Sequence, residues 1–339
     1  MKVLHAVVTS AFAGAERYVA DVSNEQARQG HDVTVIGGAL LGERLDPAVR
    51  HLVGSSVAFA LGAAARSGRV DIAHAHLTYG EFALAATKGR HGGALVATRH
   101  LATPRGQHVL GRLACPLIER RLVAELATSE FVAQKLHAPH MHVLHNGVAD
   151  APVAEAQHSR IMLMAQRLEA EKATDVGLRA WDHCGLAHQG WQLWIAGEGS
   201  QGEDLKRMAR GFADGDAVHF LGRVDDMSAL YAQVAVLLAP CPVDALGLSV
   251  LEAMARGIPV VAAAAGGHLE TVGPVPGCLF PPGDAAAAGE LLKTLADAET
   301  RRLRGGQLRT RQQSHFRISQ HVSRLSEIYL EASLRSASS

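Results

Sequence analysis

The sequence has little cysteine, no long apolar run and no excess of charge of either sign. Its four cysteines lie far apart and form no C-x-x-C pair, which argues against a disulfide framework or a zinc ribbon and favours a reducing compartment. Lys and Arg together number 33, as do Asp and Glu, so no overall charge directs the chain to nucleic acid. No apolar run approaches the roughly 18 residues of a membrane-spanning helix. We therefore expect a cytoplasmic protein without a nucleic-acid partner.

The composition and the pattern of apolar residues favour an α/β protein with two domains. Hydrophobic residues make up 48% of the 339 residues and charged residues 19%, which excludes a disordered chain and suffices for two cores. Short apolar runs alternate with amphipathic stretches, as in parallel sheets covered by helices on both faces. The predicted strands are residues 3–8, 32–36, 71–75, 94–98, 122–128 and 142–144, then 160–165, 191–196, 217–221, 234–239, 258–263 and 277–280.

A small and polar segment, residues 150–159, interrupts this alternation and predicts the linker between the domains. We therefore expect two tandem doubly wound, Rossmann-like domains, residues 1–150 and 159–315. A last amphipathic helix, at about residues 316–335, is expected to pack back on the first domain. Ligands of such sheets bind at the carboxyl ends of the strands.

The first candidate ligand site directly follows the first predicted strand. Gly14, Ala15 and Glu16 begin a predicted helix, and small residues there let a ligand approach the backbone amides of the helix N-terminus. Taken alone, these residues favour a tight turn without a ligand.

A second candidate follows the first strand of the second domain. Arg167 and Lys172 straddle a loop that leads into a helix, and together they are suited to a diphosphate, Arg as a bidentate donor and Lys as a point charge. The alternative is a solvated loop in which Glu169 and Glu171 are ion-pair partners.

The most specific motif runs from Asp244 to Glu252. A carboxylate in a loop precedes Gly247 at a predicted helix start, and the second carboxylate follows in the helix. Free amides at a helix start suit a phosphate. The helical carboxylate suits a ribose, whose two vicinal hydroxyls can donate to its two oxygens.

Histidines lie at the ends of two predicted strands, His74 and His76 on one and His100 on another. His74 and His76 share a face of their strand, but no Cys or Glu accompanies them at zinc-finger spacing. We therefore predict no metal site. The G-x-G-x-x-G run at residues 197–202 follows the second strand of its domain, which is the wrong position for a dinucleotide fingerprint.

Taken in order, these motifs resemble family 4 of the retaining glycosyltransferases (glycosyl transferases group 1) along almost the whole chain. The matching segments of the first domain are Ala13-Gly14-Ala15-Glu16-Arg17, Gly30-His31-Asp32-Val33, His74-Ala75-His76, Thr98-Arg99-His100 and Asn146-Gly147-Val148. Those of the second domain are Arg167 and Lys172, Gly197-Glu198-Gly199, Phe220-Leu221-Gly222-Arg223-Val224, Asp244 and Glu252, Gly266-Gly267-His268-Leu269-Glu270 and Pro281-Pro282-Gly283-Asp284.

The resemblance implies the GT-B architecture, with an acceptor-binding first domain and a donor-binding second domain. It implies retaining transfer from a nucleotide diphosphate sugar, a UDP-sugar first and GDP-mannose next. The acceptor would be a glycan, a lipid-linked sugar or a small molecule, in surface polysaccharide or glycoconjugate synthesis. No metal or other cofactor is expected, because cationic side chains and helix amides would stabilise the leaving diphosphate.

The resemblance also assigns roles to individual residues. The predicted catalytic residues are His100, Asp244, Arg167 and Lys172. The predicted donor-binding residues are Arg167, Lys172, Gly197, Gly247, Leu248, Ser249, Glu252, Gly266, Gly267 and Glu270. The predicted acceptor-side residues are Gly14, Ala15, Glu16 and His76.

Some departures from the family pattern leave other functions open. Asp244 stands where the family usually has Glu, Ala245 and Leu246 replace Gly and Phe, and Gln166 stands where Gly or Ala is usual. The alternatives are a GT-B sugar-nucleotide epimerase and a catalytically silent sugar-nucleotide binding subunit, with a dehydrogenase third.

The first domain also carries a basic stretch. Its arginines predict peripheral contact with the inner membrane face or with an anionic acceptor, with a solvated helix face as the alternative. They are Arg99, Arg105, Arg112, Arg120 and Arg121.

Overall fold

The computed structural model describes residues 1–10, 12–105, 115–136, 141–154 and 159–337. The chain divides into two compact units, Met1–Gly147 with Ile318–Ser339, and Val148–Arg317. The boundary between the units lies just before the predicted linker, part of which (residues 155–158) falls outside the described residues.

The first unit is built on a seven-stranded parallel sheet in the order β3-β2-β1-β4-β5-β6-β7. Its apolar strands are buried because helices cover both faces, and β1, β2, β4 and β5 lie almost wholly in the core. The strands are β1 Lys2–Val7, β2 Asp32–Gly37, β3 Arg50–Val53, β4 Ile72–His76, β5 Ala94–Arg99, β6 Leu122–Ala127 and β7 Met141–Val143. All except β3 match predicted strands to within two residues.

Amphipathic helices cover this sheet, and the last helix of the chain is among them. Tyr329, Val322 and Leu325 of that helix are buried in one cluster with Val3 and Val33 of the sheet. The helices are α1 Gly14–Arg28, α2 Ala39–Gly42, α3 Val57–Arg66, α4 Leu77–His91, α5 Glu130–Leu136 and the C-terminal Ile318–Ala337, here α13; residues 115–119 are also helical.

The second unit is built on a six-stranded parallel sheet in the order β10-β9-β8-β11-β12-β13. Its strands are β8 Ile161–Ala165, β9 Gln192–Ala196, β10 Val218–Gly222, β11 Val236–Ala239, β12 Val260–Ala263 and β13 Leu279–Phe280. Its helices are α6 Thr174–Cys184, α7 Gly202–Arg210, α8 Met227–Tyr231, α9 Leu248–Ala255, α10 His268–Thr271, α11 Ala285–Thr294 and α12 Ala298–His315, with 3₁₀ turns at Ala170–Lys172, Leu186–Gln189 and Gly215–Ala217.

Both sheets are doubly wound, and the strand order reverses at one point in each. In the first sheet β1 pairs in parallel with both β2 and β4, and in the second β8 pairs with both β9 and β11. The predicted fold class is therefore confirmed. The carboxyl ends of β1 and β4, and of β8 and β11, flank the crevices where such sheets bind ligands.

Three of the five arginines of the basic stretch are bound within the first unit. Arg105 donates to Glu81 and Glu125, and Arg99 donates to Glu125 and to a backbone carbonyl. Arg121 donates to a carbonyl of α4. These arginines are therefore used in internal contacts, and the structure adds no support to the predicted membrane contact.

The other two arginines differ in what the structure says of them. Arg120 is exposed, whereas Arg112 lies outside the described residues. In the part of the chain that the structure describes, we find no helix both long enough and apolar enough to cross a membrane.

Candidate active site

Lys172 and Asp244 meet at the point where the strand order of the second sheet reverses. The loop that follows β8 carries Lys172, and the loop that follows β11 carries Asp244. Nζ of Lys172 lies 3.0 Å from Oδ2 of Asp244, and the two side chains are only 18% and 23% exposed. The structure thus brings together two of the four predicted catalytic residues.

Both groups of this ion pair are charged at neutral pH. Burial alone would lower the pKa of Lys172, but the charge of Asp244 outweighs it and the pKa is raised. Burial would raise the pKa of Asp244, but Lys172, His268 and the backbone amide of Gly247 together lower it. Lys172 therefore keeps its positive charge in a half-buried position at this edge of the sheet.

Gln166, one of the departures from the family pattern, braces the loop that carries Lys172. Its Nε2 donates to the carbonyl of Lys172 at 3.0 Å and to Oγ1 of Thr174 at 2.8 Å. The loop ends at Ala173 in a left-handed conformation with φ of 50°. Gln166 therefore contributes to the position of the Lys172 side chain.

Arg167 lies on the surface beside this pair. Its Nη2 donates to Oε1 of Glu171 at 2.9 Å, and the two side chains are 55% and 47% exposed. This is the ion pair expected of a solvated loop, and such exposed pairs contribute little to stability. The charge of Arg167 is a smaller influence on the pKa of Lys172. Its role on a diphosphate stays a prediction.

The Gly-Glu-Gly loop packs directly on the Arg167 loop. The amide of Leu168 donates to the carbonyl of Glu198 at 2.9 Å, and Glu169 accepts from the amide and hydroxyl of Ser200. Gly197 has φ of 142°, and a Cβ there would overlap the carbonyl oxygen of Gln166. Gly197 is thus required for the packing of the two loops, and its predicted contact with the donor stays a prediction.

The start of α9 lies next to Asp244. Gly247 has φ of 87°, its amide donates to the Asp244 carboxylate, and Leu248 and Ser249 begin the helix half-buried. Glu252 follows one turn later, also half-buried. The first amides of a helix have no intrahelical partners, so this end of α9 presents donors and partial positive charge to a phosphate.

Gly266 and Gly267 pack against the segment that leads to α9. The amide of Gly267 donates to the carbonyl of Asp244 at 2.9 Å. A Cβ on Gly267 would overlap the backbone of Ala245 and Leu246. These glycines hold the Asp244 loop in place, and they lead into α10.

In α10, Glu270 is half-buried, and its carbonyl accepts a hydrogen bond of 2.7 Å from Arg311. The donor-side roles predicted for Gly266, Gly267 and Glu270 stay predictions.

His268 is a polar residue of this region to which the sequence assigned no role. Its Nδ1 lies 3.3 Å from the carbonyl of Ala263, and its buried Nε2 has no hydrogen-bond partner within the described ranges. A Cβ on Gly247 would lie 3.3 Å from that Nε2. Burial lowers the pKa of His268 against the opposing charge of Asp244. The only sequence signal was its place directly after the two glycines.

In the first unit, the predicted acceptor-side residues begin α1. Gly14 is the first residue of the helix, and Ala15 is half-buried. Glu16 is 4% exposed, and its carboxylate accepts a hydrogen bond of 2.8 Å from the amide of Ala13. Burial raises the pKa of Glu16. Glu16 therefore caps its own helix, and a contact with an acceptor stays a prediction.

His76 and His100 lie at the carboxyl ends of β4 and β5. His76 is fully buried, and both of its ring nitrogens are bonded, Nε2 to His5 and Nδ1 to His100, each at 3.0 Å. His100 is half-buried. Of the two, only His100 has surface available to a ligand, so any influence of His76 on a ligand passes through His100.

Three buried histidines bring ring nitrogens within 4.8 Å of one another, in a group that could hold a metal ion: His5, His74 and His76. Each of their nitrogens already has a hydrogen-bonding partner in the protein. A metal ion would have to displace these bonds. The expected absence of a metal stays a prediction.

Models of two glycosyltransferase families match the two halves of the chain. The model described as Glycosyltransferase Family 4 matches residues 12–151, and the model described as Glycosyl transferases group 1 matches residues 159–297. The first match covers the motifs of the first domain, and the second covers those of the second domain.

Curated proteins and solved structures agree with these matches. The glycogen synthase of Mycobacterium tuberculosis is 30% identical over 294 residues, which are 79% of this chain and 70% of that protein. A GDP-mannose-dependent monoacylated alpha-(1-6)-phosphatidylinositol monomannoside mannosyltransferase of Corynebacterium glutamicum is 34% identical over 145 residues, 40% of this chain and 38% of that protein. The crystal structure of Anabaena Alr3699/HepE in complex with UDP-glucose has a TM-score of 0.81 at 19% identity and covers 98% of this chain and all of that one.

Several curated relatives are matched over only part of their length. For four of them the alignment spans between 20% and 38% of the relative's own length. The glycogen synthase match, however, spans more than two thirds of its relative, and the family models together match most of both units. The chain therefore belongs to the group 1, family 4 glycosyltransferases.

Proposed function

We propose that the chain transfers a sugar from a nucleotide diphosphate sugar to an acceptor, with retention of the anomeric configuration. The ion pair of Lys172 with Asp244 beside the N-terminus of α9 is the observation that carries this proposal. It places a half-buried cation and the first amides of a helix, which have no intrahelical partners, at one switch point, where an anionic ligand is expected.

Lys172 would stabilise the negative charge that develops on the leaving diphosphate. A fixed cation in a partly buried site lowers the barrier because its attraction is stronger in the transition state than in the bound donor. The Lys172 charge is balanced by Asp244 and the Arg167 charge by Glu171. A bound diphosphate would compete with both carboxylates for these cations.

The remaining roles follow from chemistry and from the family resemblance. Glu252 would accept hydrogen bonds from the ribose hydroxyls, and Asp244 would hold hydroxyls of the transferred sugar. His100 would hydrogen-bond a sugar hydroxyl. Gly266, Gly267 and Glu270 would line the donor site. No metal is part of this mechanism, because the cations and helix amides supply the positive charge.

A UDP-sugar is the donor that we place first and GDP-mannose the second. The Anabaena neighbour holds UDP-glucose, and the Corynebacterium relative is named as GDP-mannose-dependent. The acceptor would be a glycan, a lipid-linked sugar or a small molecule, in the synthesis of surface polysaccharide or glycoconjugates. Neither the epimerase nor the silent binding subunit is favoured, since the relatives named above are transferases.

A panel of UDP-, GDP-, ADP- and TDP-sugars screened by thermal unfolding tests the donor. Ligand at about a hundred times its Kd stabilises the native state by about 2.7 kcal/mol, so the true donor raises the melting temperature and the others do not. The hits are then incubated with candidate acceptors, and the anomeric configuration of the product is read by NMR. Conversion of the donor to an epimer without transfer, or binding without turnover across the acceptor panel, would contradict the proposal.

A further inference from the structure

A continuous line of hydrogen bonds crosses the interior of the first unit, from His100 to the C-terminal helix. Its first end is the backbone carbonyl of His145, which can only accept. His321 Nδ1 lies 2.7 Å from this oxygen and must donate to it. In the neutral ring His321 Nε2 is then an acceptor, and the hydroxyl of Tyr18, 2.8 Å away, donates to it.

The direction of the next bonds follows from the single proton of Tyr18. Thr98 lies close enough to interact with the Tyr18 hydroxyl, and because the Tyr18 proton is used on His321, Thr98 is the donor of that pair. The Thr98 oxygen, 2.7 Å from His74 Nε2, accepts from that nitrogen. His74 Nδ1 is then unprotonated, and the hydroxyl of Tyr329 donates to it at 2.6 Å.

Gln26 continues the same donor-to-acceptor order to His5, because an amide nitrogen can only donate and an amide oxygen can only accept. Its Nε2 donates to the Tyr329 oxygen at 3.3 Å, and its Oε1 accepts from His5 Nε2 at 2.8 Å. His5 Nδ1 therefore accepts from His76 Nε2, and His76 Nδ1 accepts from His100 Nε2, each at 3.0 Å. The ring of His100, the last of the line, therefore carries its proton on Nε2 and a lone pair on Nδ1.

Burial keeps every ring of this line neutral. His5, His74 and His76 are fully buried and His321 is 4% exposed. None of the hydrogen bonds described above goes to a carboxylate. An unpaired charge in such surroundings is strongly disfavoured. The neutral form leaves each ring one donor and one acceptor, so reversing one bond requires reversing its neighbours.

We propose that this line of hydrogen bonds fixes His100 as the Nε2–H tautomer, so that its Nδ1 accepts a hydrogen bond from a sugar hydroxyl. The assignment to a sugar rests on the proposed function. Tyr18, Gln26 and Tyr329 are positioning residues, because they act through His100 without touching substrate. A site with an acceptor at this position selects a ligand with a hydroxyl there and disfavours one with a carbonyl or phosphate oxygen.

Nitrogen NMR of the full-length protein, labelled with ¹⁵N-histidine, reads the tautomer directly. The His100 signals are assigned by their loss in His100→Asn. We expect a protonated Nε2 and an unprotonated Nδ1 at neutral pH. A protonated Nδ1 on His100 overturns the proposal, whatever the activity of the enzyme.

The variant Gln26→Leu tests the line from a distance. Leucine has a similar size but cannot accept a hydrogen bond from His5 Nε2. The bonds from His5 through His76 to His100 can then reverse, and the Nδ1–H form of His100 should appear. Gln29→Leu is the matched control, since Gln29 directly follows the same helix, is itself exposed, and its side chain donates to Glu25 and to the carbonyl of Ser319. An unchanged His100 spectrum in folded Gln26→Leu would also contradict the proposal. If Gln26→Leu does not fold, the wild-type spectrum alone decides.

Kinetics separate this inference from the proposed function. With UDP-glucose as the donor probe, Gln26→Leu should lower kcat/KM about tenfold, the worth of one ordinary hydrogen bond, while the Kd for UDP stays unchanged. An Nε2–H His100 in an enzyme that transfers no sugar from any nucleotide donor would refute the proposed function and leave the tautomer standing. An Nδ1–H His100 in an active transferase would do the reverse.

Discussion

Lys172 and Arg167, five residues apart in the sequence, lie in different environments. Lys172 is held against Asp244 with less than a quarter of either side chain exposed, whereas Arg167 is more than half exposed and paired with Glu171. A buried cation interacts with a phosphate more strongly than an exposed one, because solvent screens it less. We therefore expect Lys172 to matter more to the chemistry than Arg167.

The variant Lys172→Ala should lower kcat about 10²–10³-fold, the usual effect of removing one group that stabilises transition-state charge. Its KM for the donor should change much less, because the leaving phosphate carries less charge in the bound donor than in the transition state. Lys172→Arg should restore only part of the rate, since a planar fork does not reproduce a compact ammonium. Steady-state release of the nucleoside diphosphate measures both constants, and a wild-type rate for Lys172→Ala would refute the role.

Glu252→Ala should show the opposite balance. Contacts with the ribose are alike in the bound donor and in the transition state, so their loss raises KM and leaves kcat nearly unchanged. The same assay measures it, with Glu290→Ala as a control because Glu290 is an exposed helical glutamate paired with Lys293. A fall in kcat at constant KM would place Glu252 at the reacting centre instead of the ribose.

At the scale of the elements, close packing of loop on loop explains why glycines recur around Lys172 and Asp244. Gly197 approaches the carbonyl of Gln166, and Gly267 approaches the backbone of Ala245 and Leu246. The motifs that resemble a ligand-binding pattern are in these two cases also packing requirements. These two glycines let the loops of Lys172 and Asp244 pack closely against their neighbours and so fix the positions of the two loops.

The variant Gly197→Ala should lower the free energy of unfolding by about 2 kcal/mol or more. It adds a Cβ that overlaps a backbone oxygen and forces a side chain on a residue with φ of 142°. Gly306→Ala is the control, because Gly306 is an exposed helical residue with nothing within 4 Å of its Cβ position. That change should stabilise by up to about 1 kcal/mol. Urea titrations measure both, and equal stability of the two variants would contradict the packing argument.

The apolar strands could be predicted from the sequence, because a buried parallel strand is a continuous run of apolar residues. The edge strand β3 was missed, since Arg50–Val53 is short and only half-buried. The positions of Lys172 and Asp244 followed from the strand ends.

The burial of His76 and Glu16 did not follow from the sequence. His76 belongs to a hydrogen-bonded line whose other members include Tyr329, on a helix at the far end of the chain. Glu16 is turned inward by the amide of Ala13. Such side-chain pairings leave no periodic signal.

At the scale of the whole molecule, catalysis without a metal is a prediction that a chelator tests. If Lys172 and the amides of α9 supply the positive charge at the diphosphate, transfer should proceed at an unchanged rate after dialysis against EDTA. Added Mn²⁺ or Mg²⁺ should then have no effect. Loss of transfer with EDTA and recovery with Mn²⁺ would refute the metal-free mechanism.

The buried histidines make the first unit sensitive to acid. Burial lowers the pKa of His5 and of His321 to about 4, from 6.5 in the unfolded chain. Between these values only the unfolded chain binds the proton, so stability is complete above pH 6.5 and falls as the pH drops toward 4. Each histidine contributes about 1.4 kcal/mol per pH unit over this window, and His74 and His76, whose pKa values are also well lowered, add to it.

Hydrogen exchange read by mass spectrometry locates this loss of stability. Between pH 6.5 and 5, after correction for intrinsic rates, protection should fall steeply in peptides from β1, β4 and α13. The second unit provides the comparison, because among its described residues the buried histidine with a lowered pKa is His268, which faces the opposing charge of Asp244. Peptides from α13 should lose protection together with those from β1 and β4, since Tyr329 and His321 of α13 bond to buried side chains of the first unit. Equal loss of protection in both units would show that the histidine line does not control the acid response.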